Sequence, residues 1–161
     1  MAKFQMGVTI NPFLPNKTAR VADGAGVGNQ LGRLDNGKFV KFVADSQFGL
    51  CAVGNEIEGV LSVADDLAPQ DGFNLGSVRD AIGTRVEVTF DGLQATPGTG
   101  VITIGGYVVT GTVSARGTAL PGNPRVCLAT AAATGIVYKW RVVAFTGTGA
   151  VGQTGIIERT A

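Results

Sequence analysis

The chain has 161 residues, of which 45% are hydrophobic, enough for one domain with a real core. Thirteen basic against twelve acidic side chains leave a net charge of +1 with no lysine or arginine run, which excludes the electrostatic footprint of a binder of nucleic acid or of an anionic membrane. Histidine is absent, so the side chain that does most acid–base work near neutral pH is missing, and catalysis would fall to carboxylates, lysine or cysteine tuned by burial.

Residues 1 to about 34 differ from the rest. Pro12 and Pro15 remove backbone donors, and Gly24, Gly26, Gly28 and Gly32 loosen the chain. Only Met6 to Ile10 looks strand-like here. Yet Phe4, Met6, Ile10, Phe13 and Leu14 each gain about 1.5–3 kcal/mol from full burial. Apolar anchors without periodicity predict an extended arm over 1–34, with these five side chains at an interface. Two destinations are open: a neighbouring subunit, or the chain's own domain. The first residues lack the apolar run of a signal peptide, and no stretch reaches the roughly 20 apolar residues of a membrane span. A soluble protein made without export is expected.

From Leu34 the punctuation is regular. Asp35-Asn36-Gly37 predicts a hairpin turn, and strands are predicted over 38–43, 48–53 and 57–63, with Gly59 as a bulge. Asp65-Asp66 through Asp71-Gly72 reads as a loop, and Ser77 to Ile82 as a single helical turn ended by Gly83. Arg85 to Phe90 alternates cleanly, placing Val86, Val88 and Phe90 on one face. After a turn at 96–100 come strands over 101–104, 107–110, 125–130 and 136–145, then a last one near 155–159. The 136–145 strand is long enough to bend across two sheets, with Trp140 as a core anchor beside Phe90 and Val88. Short strands separated by glycine turns predict an all-β fold, a single β-sandwich or β-barrel domain over 35–161 carrying the arm.

Candidate motifs fail on their own chemistry. Gly32 to Lys38 matches the start of a phosphate loop, but Phe39 stands where a hydroxyl must meet magnesium, and a strand follows instead of a helix. Gly24 to Asn29 has its third glycine misplaced for a dinucleotide loop. Glu56 and Glu58 share a strand face, as a glycosidase pair would, with nothing else to mark a cleft. Asp65, Asp66 and Asp71 miss the calcium-loop spacing. Cys51 and Cys127 sit in apolar runs and read as buried reduced thiols, with a disulfide between them as the alternative. No catalytic residue, cofactor or metal is therefore expected.

Charged side chains make up only 16% of the chain, against roughly 25% in ordinary domains. The resulting neutral Gly/Thr skin suits a surface covered by neighbours. Ile57-Glu58-Gly59-Val60, Gly105-Gly106-Tyr107-Val108-Val109 with Gly111-Thr112, and Trp140-Arg141-Val142-Val143 followed by Gly149 to Glu158 carry a glycine-turn and valine-strand phrasing. In this the chain resembles the decoration, or cement, proteins of tailed-bacteriophage capsids. The resemblance implies a β-sandwich or barrel, a homo-oligomer and often a trimer, seated on the capsid exterior over joints between major capsid protein subunits after assembly in the host cytoplasm. It carries over no site residue. The expected function is thus a non-enzymatic virion protein that bridges capsid subunits. The alternatives are a tail or head–tail component, or a carbohydrate- or receptor-binding β module using Trp140 and Tyr107.

Overall fold

The computed structural model describes residues 17–24, 28–44, 47–64, 74–130 and 137–161. The fold is all-β, as the turn spacing predicts, and among the described residues the one helical element is a 3-10 turn at Arg33–Asp35. Strands β1 (Lys17–Val21), β2 (Phe39–Ala44), β3 (Gln47–Leu50), β4 (Gly59–Ala64) and β5 (Asn74–Arg79) close into a barrel in the order β1-β3-β2-β4-β5. A second sheet follows, built from β6 (Arg85–Leu93), β8 (Val108–Thr110), β9 (Arg125–Leu128), β10 (Trp140–Phe145) and β11 (Thr154–Arg159), in the order β10-β11-β6-β9-β8. The short β7 (Thr96–Pro97) folds back on β6.

The second sheet curls so that the segment leading into β8 touches β10. Tyr107, at the start of β8, bridges Arg141 of β10, while Gly105 donates to the Val142 carbonyl at 2.8 Å and Val142 donates to Gly106 at 2.9 Å. Thr110, at the other end of β8, exchanges hydrogen bonds with Gly54 and Asn55 beyond the barrel. These contacts cover part of the strand edges that would otherwise invite uncontrolled pairing.

Two apolar cores lie back to back, and period-2 alternation explains both. On β2, Val40 enters the barrel core with Ala19, Val21, Leu31, Phe48, Leu61 and Val78, while its neighbour Phe39 turns the other way. On β4, Leu61 and Val60 divide in the same manner. Phe39, Val60, Cys51 and Ile57 thus roof the second core, formed by Val86, Val88, Phe90, Ile102, Val108, Val126, Trp140, Val142 and Ile157. A strand buried on both faces reads as a continuous apolar run, as Phe39-Val40 and Val60-Leu61 do.

Several local expectations change. Lys17–Val21 is a barrel strand, paired antiparallel with β5 and parallel with β3, and Leu31 is fully buried, so these residues belong to the folded body and not to an arm over 1–34. The strand-like reading of Met6 to Ile10 and the loop reading of Asp65 to Gly72 lie outside the described residues. Ser77 to Arg79 is extended, because β5 must pair with both β1 and β4 to close the barrel, and that pairing overrides a weak local helix signal. Gly37 does take a left-handed φ of 84°, but its turn links the 3-10 turn to β2 rather than joining a hairpin. The bulge in β4 falls between Leu61 and Val63; Gly59 instead allows close approach of β5, since a Cβ there would lie 2.7 Å from Val78 Cγ1. β10 stays within one sheet, and a bulge between Val142 and Ala144 turns Phe145 back onto the core.

Candidate functional site

The anchors predicted on strands β6 and β10 are where alternation puts them. Val88, Phe90 and Trp140 are each fully buried, and Phe90 meets Phe145 edge-on with ring centroids 5.3 Å apart. Burial of Trp140 removes it as a stacking platform for any ligand. Its indole Nε1 has no hydrogen-bond partner among the described residues, so its place is set by apolar packing alone. The interface residues Phe4, Met6, Ile10, Phe13 and Leu14 lie outside the described residues.

Two buried carboxylates, neither of them singled out by the sequence, organise the junction between barrel and sheet. Asp35, 1% exposed, pairs with Lys38 at 2.7 Å and accepts from the amides of Gly32 and Gly117 at 2.9 and 2.8 Å. Lys38 Nζ also donates to the Ala115 carbonyl at 2.6 Å. Asp91 at the second position accepts from Arg125 at 2.9 Å, from the Thr112 amide at 2.7 Å and from the Thr112 hydroxyl. Desolvation works against the Asp91 charge, but the bonds from Thr112 and Arg125 outweigh it and hold the carboxyl below the usual carboxylate range. Together the two acids hold the irregular segment 111–124 as a strap across the junction. Lys38, the residue at the phosphate-loop lysine position, is therefore committed to Asp35 and the strap.

Glu56 and Glu58 do come together, but on cations. Glu58 pairs with Lys139, its backbone carbonyl accepts from Arg159, and Lys139 lies 3.8 Å from Glu56. Two carboxylates neutralised in this way brace the approach to β4 against the ends of β10 and β11; they do not flank an open cleft. Among the described residues no group of three or more Cys, Asp or Glu side chains could hold a metal ion.

Cys51 and Cys127 are free and buried. Burial pushes the Cys51 thiol up to about 12 and the Cys127 thiol up to about 11, so neither forms a thiolate near neutrality. Cys51 lines a cavity of about 20 Å³ under the strap, with Phe39, Leu50, Thr110, Val113 and Leu120. That space suits a single water and no organic substrate.

The outer surface carries more apolar material than these interior sites carry chemistry. Ile82, Val137 and Ile104 are 67%, 65% and 63% exposed, and Phe42, Leu75 and Val101 are each about half exposed. Tyr107 is exposed beside Tyr138, with ring centroids 6.5 Å apart. On the outer face of β6, β10 and β11, Glu87, Ala144, Phe145, Thr146, Thr154, Gly155 and Ile156 line an open trough of about 420 Å³. No helix among the described residues is long and apolar enough to cross a membrane. No protein-family model, no curated protein and no solved structure matches the chain.

Proposed function

We propose that the chain is a structural virion protein, which decorates a phage capsid and stabilises it by bridging major capsid subunits, with no catalytic role. One observation carries the reading: the ionic groups at the junction are tied up within the body, while twelve large hydrophobic side chains among the described residues remain exposed on a cross-braced β scaffold. Such a surface packs against a large neighbour without desolvating many charges. Residues 1–16 keep the apolar composition expected of a hook, and many weak contacts repeated over a shell would add by avidity.

The test adds the purified chain to shells that lack it. Bound protein and a raised rupture temperature are expected, and removal of residues 1–16, which leaves β1 intact, should lower occupancy. Failure to bind would overturn the reading, and unchanged occupancy after the truncation would remove the arm from it. The Tyr107–Tyr138 pair favours a second reading, a glycan-binding module. It predicts saturable binding to a glycan panel that Tyr107→Ala abolishes.

A further inference from the structure

The trough on the second sheet has a specific chemical character. Its floor follows one cross-strand row, Ala144 of β10 opposite Ile156 of β11 opposite Glu87 of β6. Phe145 walls one side, and Thr146 and Thr154 complete the lining. Gly155 faces the core beneath the floor, where a Cβ would collide with the Phe90 ring, so its lack of a side chain lets the sheet lie close on that ring. At about 420 Å³ the space falls within the roughly 300–1,000 Å³ of ligand-sized clefts.

Glu87 is the distinctive element. Arg85, two residues earlier on the same face, is already bonded to Glu158 at 2.5 Å, and Glu58, Asp35 and Asp91 are all paired. Among the described residues the Glu87 carboxylate has no ion-pair or hydrogen-bond partner, although it borders an apolar floor. The trough therefore complements an apolar segment that carries one cation. A fully apolar occupant would strand Glu87, and an acidic one would meet repulsion.

The chain itself contains such a segment. Residues 1–16 carry a single charged side chain, Lys3, directly followed by Phe4 and with Met6 two positions further on. Sixteen residues can span about 55 Å when extended, enough to reach an adjacent molecule. We propose that the trough of one copy receives the N-terminal segment of a second copy, Lys3 meeting Glu87 while Phe4 and Met6 cover Ile156 and Phe145. The inference concerns contacts between copies and stands whether or not the larger assembly is a capsid.

Sedimentation of the full chain, together with charge reversal, tests it. Lys3→Glu and Glu87→Lys should each raise the self-association Kd about tenfold. The double variant K3E/E87K should return it to within about twofold of the original. A photo-crosslinker in place of Phe4 should capture the Ile156 or Phe145 peptide across a mixture of isotopically light and heavy protein, giving mixed-mass products. A chain that sediments as a monomer at all concentrations would overturn the proposal. So would single variants without effect, a double variant that does not recover, or crosslinks confined to one molecule. Because the crosslinking uses native Lys3 and Glu87, its result does not depend on any charge variant folding.

Discussion

Asp91 combines what favours and what opposes a buried charge in one side chain. Burial raises the cost of ionisation, and three donors more than repay it, so the folded carboxyl titrates below its unfolded value of about 3.9. A depressed folded pKa means that the unfolded chain binds the proton more readily in acid. The stability from Asp91 is then full above about pH 3.9 and is lost as pH falls through the lowered folded value. Asp91→Asn should cost about 2 kcal/mol at pH 7 and flatten that part of the acid limb, as read by urea unfolding from pH 2 to 7. An acid limb identical to that of the parent would contradict the assignment. The cysteines give a complementary test: with thiols raised to about 12 and 11, neither should react with a thiol reagent at pH 8 until denaturant exposes both. Rapid reaction of the native protein would contradict their burial. At this scale the sequence was informative about apolar positions and poor on polar ones. Val88, Phe90 and Trp140 follow from period-2 alternation, whereas Asp91 meets Thr112 and Arg125, 21 and 34 residues away, and no local pattern announces such pairs.

Elements were legible where each is self-sufficient. β6 alternates over Arg85–Phe90 and β11 over Thr154–Glu158, and both fall within a few residues of the predicted spans. β1 also alternates, Ala19 and Val21 inward against Thr18 and Arg20, but five residues between prolines and glycines were too brief a signal. β5 is extended only because two neighbours need its backbone, a fact absent from its own residues. The strap at 111–124 has no regular structure at all and is held by its partners. Asp35→Asn should strip Lys38 of its counter-charge and cost about 3–5 kcal/mol, with faster tryptic cleavage after Arg116. Replacing both members, D35N with K38M, should cost less than D35N alone, because no uncompensated charge stays buried. If the double variant is the less stable of the two by denaturant unfolding, the ion pair contributes more than its desolvation costs, and this account of the strap fails.

At the scale of the molecule, β2 and β4 are shared by the two cores. Each sends one residue into the barrel and the next into the second core, so the two halves share their packing. Under the proposed bridging role such a body would transmit load between its neighbours, and its exposed apolar side chains would make the contacts. Composition foreshadowed the all-β fold: many glycines describe a turn-rich β scaffold. Composition could not say that the scaffold is a barrel joined to a curled sheet, since strand order depends on pairings far apart in the chain. The proposed adhesive role is most directly tested by cryo-electron microscopy of particles assembled with and without the protein. The account predicts added density on the outer surface over the joints between shell subunits; particles that look the same in both preparations, or density confined to the tail, would contradict it.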